Sequence, residues 1–343
     1  MLFKTLTIQS VHEEIKGFKT FSFEPGHDIH YEAGQYLTFV HQVHREEIRR
    51  SYSITSTPLL GEILSIGVKR IENGAFSRHL IDHARPGDRL ITSGAGGFFT
   101  LPQNMDQYQQ LFFFSAGSGI TPVFSLLKTL LHIYQHTSAV LIYSNASIHT
   151  TIFYQELIQL REKFPKRFQL HFLFSDSPDL KRARLNRELF TELLHHLMNF
   201  EFERILFYIC GPETYMRMCT YILQEQGVHP DHIRKENFII EKRLPPRPSP
   251  PDPQTRNVFI KYGTAHYNFS VSYPLSILEA AKKQKIELPY SCETGRCGSC
   301  VGRCKSGSVW MSYNEVLTEK DLQQGLVLTC VGHPVGGDVA LEI

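Results

Sequence analysis

The chain has 343 residues, a hydrophobic share of 42% and a charged share of 20%, enough for two or three domains of ordinary globular composition. A formal net charge of +2 and 17 scattered histidines give no footprint for a nucleic-acid partner. The opening residues lack the apolar core of a signal peptide, and no uninterrupted apolar stretch could span a bilayer. Seven cysteines, four of them grouped late in the chain, argue against a secreted disulfide framework and for a reducing cytoplasm.

Residues 1–102 contain short alternating runs separated by turn signals, among them Gln35-Tyr-Leu-Thr-Phe-Val40, Arg50-Ser-Tyr-Ser-Ile54 and Leu64-Ser-Ile-Gly-Val68. They predict antiparallel strands closed into a small barrel. Within it, Arg50-Ser-Tyr-Ser53 sets a guanidinium, which offers forked donors to phosphate, beside an aromatic face suited to stacking. Val68 and Lys69 end a strand, and Gly74-Ala75-Phe76-Ser77 opens a helical stretch over 76–84. A glycine and a serine at a helix start can hold a pyrophosphate through backbone amides and the helix dipole. Gly96-Gly-Phe-Phe99 closes the region. Taken singly, each of these is equally readable as a turn or a cap.

From 103 to 242 the pattern changes to strand then helix, repeated. Leu111-Phe-Phe-Phe114, Ala139-Val-Leu-Ile-Tyr143, Leu170-His-Phe-Leu-Phe174 and Ile205-Leu-Phe-Tyr-Ile209 are apolar runs fit for buried parallel strands, with helices at 153–163 and 214–226. The expectation is a doubly wound α/β layer. Ala116-Gly117-Ser-Gly119-Ile-Thr121-Pro122 lies between the first strand and a helix at 123–131, where a glycine-rich turn lets a dinucleotide pyrophosphate approach a helix N-terminus. Cys210-Gly211-Pro212 follows the last strand, and Glu236-Asn-Phe238 comes near the end of the region. The plain alternatives are a buried strand-end cysteine and a solvated glutamate beside a core phenylalanine. Asp176 lies in Phe174-Ser-Asp-Ser177, and Arg182 and Arg184 follow close after it.

Leu244-Pro-Pro-Arg-Pro-Ser-Pro-Pro-Asp-Pro253 has six prolines in ten residues. A linker over 243–256 is expected, extended at roughly 3 Å per residue. Beyond it, at 257–343, Cys292, Cys297 and Cys300 give C-x4-C-x2-C, and Cys330 follows in Leu328-Thr-Cys-Val331. That is the plant-type ligand spacing for one 2Fe–2S cluster. A zinc site is the competitor, although zinc sites more often use paired C-x2-C units. Cys304 and Cys219 are expected to be small buried apolar residues.

The order of these motifs resembles the ferredoxin–NADP reductase superfamily, and with the C-terminal ferredoxin it is similar to the reductase components of bacterial oxygenases. The resemblance implies a multidomain chain: an antiparallel β-barrel flavin domain, an α/β doubly wound nucleotide domain and an α+β β-grasp ferredoxin domain. By the same likeness Arg50 would neutralise flavin phosphate, Tyr52 would pack on the isoalloxazine ring and Ser53 would hydrogen-bond near its reactive nitrogen. Thr121 and Cys210 would flank the reacting nicotinamide carbon, Glu236 would lie near the hydride path and Phe238 would cover the second flavin face. The implied activity carries electrons from NAD(P)H through a flavin and the 2Fe–2S cluster to an oxygenase, hydroxylase or desaturase. FAD is favoured over FMN by the pyrophosphate-type turn Gly74–Ser77. In NADPH-using relatives an arginine follows the serine after the third strand and binds the 2′-phosphate. The likeness puts Asp176 in that place, where it would repel a phosphate and accept a bond from a free 2′-hydroxyl, which favours NADH. Arg182 and Arg184 are near enough in sequence to reverse that preference. A redox-sensing interaction protein, and a flavin reductase acting on small molecules, are the rival readings.

Overall fold

The computed structural model describes residues 3–43, 46–238 and 248–343. Residues 243–247 of the expected linker lie outside them. The chain divides into two compact units, Phe3–Asn237 and Phe238–Ile343.

The first unit begins with six strands: β1 (Lys4–Ile15), β2 (Phe18–Phe23), β3 (Tyr36–Val43), β4 (Glu46–Ser53), β5 (Ser65–Lys69) and β6 (Arg89–Gly96), ordered β4-β3-β6-β1-β2-β5. Every pairing among them is antiparallel. A bridge between Ile54 and Ile66, reinforced by Thr55 N–H donating to the Ser65 carbonyl at 2.9 Å, joins the two outer strands and closes the barrel. Alternation drives the closure: Leu6, Ile8, Phe21, Phe23, Leu37, Phe39, Ile66 and Val68 point inward and are at most 1% exposed. Helix α1 (Ala75–His83) lays Phe76, Leu80 and Ile81 on this core.

The same unit continues into a parallel sheet of β7 (Gln110–Ala116), β8 (Ser138–Asn145), β9 (Phe168–Phe174), β10 (Ile205–Cys210) and β11 (Ile233–Glu236), ordered β11-β10-β7-β8-β9. Its helices are α2 (Ile120–Ile133), α3 (Tyr154–Lys163), α4 (Leu180–Ala183), α5 (Arg187–Leu197) and α6 (Glu213–Glu225). The all-apolar run of β7 is explained by its central place. Leu111 and Phe113 enter the core shared with α2 and α3, while Phe112 and Phe114 enter the core shared with α5 and α6. Phe114 stacks on Phe190 with centroids 4.4 Å apart.

Helix α2 also faces the barrel. Ser125 Oγ accepts from Gly34 N–H at 2.9 Å, Thr129 Oγ1 bonds Thr57 Oγ1 at 2.7 Å, and Lys128 Nζ pairs with Glu62 at 2.5 Å. Phe18 meets Phe153 edge-on, and Tyr208 donates to the Thr100 carbonyl at 2.9 Å. Barrel and α/β layer therefore share one packed seam. Its tightest point is Gly34 (φ +88°), where a Cβ would lie 1.9 Å from the Phe99 carbonyl oxygen.

In the second unit β12 (Arg256–Tyr262), β13 (Ala265–Val271), β14 (Val301–Met311), β15 (Leu326–Leu328) and β16 (Gly332–Glu342) form a mixed sheet ordered β13-β12-β16-β14-β15. Helix α7 (Ile277–Lys283) contributes the buried Ile277, Leu278, Ala280 and Ala281, and a short α8 (Glu319–Gln323) follows. One expectation changes here. Cys304 lies on β14 as expected but is half-exposed rather than buried, because register shifts on both sides of Ser306 break the alternation. The described end of the proline-rich run makes contacts within this unit, which its composition does not show. Pro250 is buried, Ser249 Oγ meets Tyr273 Oη at 3.3 Å, and Asp252 takes Arg256 at 2.8 Å and Gly336 N–H at 3.0 Å.

Candidate functional site

Strand β4 carries Arg50, Tyr52 and Ser53 side by side with Phe39, Leu37 and Tyr36 of β3. Arg50 spends one guanidinium N–H on the Arg49 carbonyl at 2.7 Å and stays half-exposed. Burial pushes the Tyr52 phenol up, against the pull of the Arg50 charge, so the ring offers a neutral face. Ser53 is 3% exposed and its Oγ has no hydrogen-bond partner. Leaving a buried hydroxyl unpaired costs about 1–3 kcal/mol, which suits a position completed by a bound molecule.

Gly74 caps α1, and Ser77 Oγ donates back to its carbonyl at 3.3 Å while accepting from Ile71 N–H. Ala75 is exposed at that helix start and Phe76 is buried. On β5, Val68 is buried and Lys69 exposed. Between these groups sits Gly67, which no sequence motif marks. A Cβ there would lie 2.6 Å from Phe18 Cζ, 2.6 Å from Thr121 Cγ2 and 3.2 Å from Thr55 Cγ2. Its only sequence signal is a glycine inside a strand, a mark of close backbone approach.

Thr121, 2% exposed, bonds its hydroxyl to the Ser118 carbonyl at 2.8 Å and turns its methyl to Gly67. The turn before it needs both glycines for different reasons. Gly117 is left-handed (φ +55°) with open space around it, its carbonyl held by Tyr143 Oη at 2.9 Å. Gly119 faces Cys210, whose carbonyl oxygen would be 2.1 Å from any Cβ. The two nucleotide motifs thus touch through a glycine. Gly211 in turn abuts Ala116, and Pro212 caps α6. Cys210 is fully buried and pairs in register with Ser115 on one side and Glu236 on the other. Burial first, and the Glu236 carboxylate second, push its thiol up, so it stays a neutral S–H. Ser115 Oγ, also missed from sequence, is buried without a hydrogen-bond partner. Asp176 stands exposed after β9 with its N–H on the Ala146 carbonyl, and Arg182 is held by Glu192 at 3.3 Å. Phe238 is 40% exposed and begins the second unit.

In the second unit the loop before β14 gathers Cys292, Cys297 and Cys300, none of them in a disulfide, and Cys330 meets Cys292 and Cys300. Thr329 fastens the two segments, its N–H and Oγ1 both donating to the Cys300 carbonyl, at 3.1 and 3.0 Å. Backbone amides aim at sulfur: Thr294 and Arg296 N–H reach Cys292 Sγ at 3.4 and 3.5 Å, and Cys292 N–H reaches Cys297 Sγ at 3.5 Å. Left-handed Gly295 and Gly298 make that wrapping possible. The sulfurs interact strongly. Hydrogen bonds from Cys297 and Cys330 draw the Cys292 thiol down, while Cys297 and Cys330 are pushed up. Among the described residues no three such groups converge on the position of a single ion. The four thiols are a donor set of the kind a thiolate-ligated cluster uses.

One chain thus carries a barrel strand with a half-exposed arginine beside a neutral phenol, a glycine turn at a helix start and a thiol-lined loop. Residues 5–101 match the oxidoreductase FAD-binding domain, 113–220 the oxidoreductase NAD-binding domain and 263–335 the 2Fe–2S iron–sulfur cluster binding domain. The chain is 31% identical over 348 residues to one subunit of the 1,2-phenylacetyl-CoA epoxidase of Escherichia coli (strain K12), covering 99% of this chain and 97% of that one. A solved structure of phthalate dioxygenase reductase shares the fold, with TM-score 0.60 and 23% identity over 99% of this chain and 98% of that one. An intact type IV self-sufficient cytochrome P450 monooxygenase aligns with TM-score 0.70 and 19% identity, and this chain spans 41% of its length. The chain belongs to the ferredoxin–NADP reductase superfamily, as an oxygenase-type reductase with a C-terminal 2Fe–2S domain. It is an NAD(P)H-dependent flavoprotein iron–sulfur reductase, and its cofactors are FAD, a nicotinamide dinucleotide and a 2Fe–2S cluster. No helix among the described residues is long and apolar enough to cross a membrane.

The two turn glycines should separate in an unfolding experiment. Gly119→Ala drives a methyl into the Cys210 carbonyl and should lower the unfolding free energy by about 3 kcal/mol. Gly117→Ala bears only the left-handed backbone penalty of about 1–2 kcal/mol. Equal losses in urea titrations would contradict the close approach.

Proposed function

We propose that Arg50, Tyr52, Ser53, Val68, Lys69 and the Gly74–Ser77 turn, with Ala75 and Phe76 in it, hold FAD. Gly117, Gly119, Thr121, Gly211 and Pro212 receive the nicotinamide dinucleotide, and Cys292, Cys297, Cys300 and Cys330 ligate the cluster. When bound, the flavin exchanges a two-electron hydride for single electrons that a 2Fe–2S centre can accept. The chain's own residues supply the setting. Arg50 and the amides at the start of α1 balance phosphate charge, Tyr52 gives a neutral stacking face, and Ser53 Oγ offers its unpaired hydroxyl to a ring nitrogen. Thr121 and the protonated Cys210 thiol form an uncharged wall for the nicotinamide. Glu236 adds a carboxylate at the end of the neighbouring strand.

The observation that carries this reading is the seating of Thr121 against Gly67. It brings the dinucleotide turn against the strand that leads to Val68 and Lys69. Asp176 favours NADH, supported by Arg182 being engaged with Glu192. The acceptor is an oxygenase, hydroxylase or desaturase component. That reading draws on the epoxidase component and the dioxygenase reductase that this chain resembles. The seven free cysteines fit a reducing cytoplasm.

Cys297→Ser separates the two halves of the path. The variant should keep NADH-driven ferricyanide reduction within about twofold and lose more than about tenfold of cytochrome c reduction, since a hydride acceptor remains but the one-electron carrier does not. Loss of both activities, or of neither, would overturn the assignment.

Steady-state kcat/KM should favour NADH in the wild type. Asp176→Arg should shift the NADPH/NADH ratio upward by about tenfold, the scale of one charge-assisted hydrogen bond. An unchanged ratio would remove Asp176 from the ribose site.

A further inference from the structure

The thiol-bearing loop holds a buried cation that its function has not absorbed. Arg296 sits directly before Cys297, its side chain only 10% exposed and its own N–H on Cys292 Sγ at 3.5 Å. Its Nε lies 3.5 Å from Glu315 Oε2, an ion pair without hydrogen-bond geometry, and Nε has no hydrogen-bond partner. The guanidinium lies over the Tyr313 ring at 5.6 Å, and Tyr313 Oη donates to Glu315.

The segment 313–315 is clamped to the loop at a second level. Glu315 N–H donates to the Gly295 carbonyl at 3.1 Å, and a Cβ on Gly295 (φ +75°) would fall 2.9 Å from the Tyr313 carbonyl oxygen. The glycine lets the backbones meet, and that meeting fixes Glu315 beside Arg296. Glu315 is also the more exposed partner, at 30% of its side chain. The cation is therefore the more deeply buried member of the pair and the one continuous with the loop backbone that donates to sulfur.

A cluster with four thiolate ligands gains one negative charge on reduction, and a fixed charge in a poorly solvated loop biases that equilibrium. We propose that Arg296 and Glu315 set the reduction potential of the cluster held by the four cysteines. Arg296 favours the reduced form, and Glu315 offsets part of that bias. The proposal rests on the ligand assignment above. It concerns electrostatics and not ligation, since neither side chain is a thiol. It gives the pair a role in the known reaction, that of tuning how readily the cluster accepts an electron and gives it up.

The test is an anaerobic redox titration of the full-length holoprotein, followed by the reduced cluster's EPR signal, for wild type, Arg296→Gln, Arg296→Lys, Glu315→Gln and the double variant Arg296→Gln/Glu315→Gln. Arg296→Gln should lower the midpoint potential and Glu315→Gln should raise it. Each change should be of the order of a tenfold shift in the reduced-to-oxidised ratio at fixed poise, or ~59 mV for one electron. Arg296→Lys, which keeps the charge, should stay close to wild type, and the double variant should fall between the single ones. A merely structural clamp would move both single variants in the same direction or in neither, and either result overturns the proposal. Should Arg296→Gln fail to fold, Glu315→Gln alone must still rise, and an unchanged or lower potential for it is decisive against the idea. A wild-type protein with no 2Fe–2S signal would instead refute the ligand assignment.

Discussion

Where the barrel meets the start of α2 there is no room for a side chain, and the functional half of the first unit depends on that shortage of space. Gly67 admits Thr121, Gly34 admits the Phe99 carbonyl, and Gly119 admits the carbonyl of Cys210. Interiors pack like crystals, so a Cβ at any of these points must displace atoms that are already close-packed. The consequence is geometric. Strand β5, the glycine turn and the end of β10 are drawn into one neighbourhood by Gly67 and Gly119, which contribute no side chain, while Gly34 lets the barrel close on Phe99 and on Leu126 of α2. The Ser125, Thr129 and Lys128 contacts of α2 then hold the seam from the polar side.

Two side chains of the candidate site are kept neutral. Tyr52 and Cys210 are both held in their neutral forms by burial, and Ser53 and Ser115 carry unpaired hydroxyls. In the proposed site such groups would meet an aromatic ring system through stacking and a few placed hydrogen bonds. The second unit differs. Four thiols crowd one another, backbone amides converge on sulfur, and in the same loop the Arg296 guanidinium is paired with Glu315. On the proposed assignments, neutral groups would suit the flavin and nicotinamide rings, and the charged pair would bias the potential of the cluster.

Much of the architecture is legible in the sequence because its period is simple. The run Leu111–Phe114 reads as a doubly covered strand, and its residues do divide between two cores. The cysteine spacing and the order of the glycine turns are legible because each motif is contiguous. What escapes are properties that depend on distant segments. Gly67 looks like an ordinary strand residue, since its reason lies 54 residues away in Thr121. Unbroken alternation through β14 would bury Cys304, but the strand's register shifts at Ser306. The proline run reads as an extended linker, and its composition does not show that Asp252 at its end takes Arg256 and Gly336. Arg296 sits inside a recognisable motif, yet its importance comes from Glu315, brought to it by a glycine contact with residue 313.

In the proposed function one polypeptide accepts electrons from a nicotinamide and delivers them singly to its own 2Fe–2S centre. The decisive measurement is anaerobic stopped-flow mixing of the purified holoprotein with NADH, followed at flavin and cluster wavelengths. Flavin absorbance should fall first and cluster absorbance should follow within about a second, on the kcat scale of ordinary enzymes, at a rate independent of protein concentration. A cluster that stays oxidised while the flavin is reduced, or whose reduction rate rises in proportion to protein concentration, would contradict it.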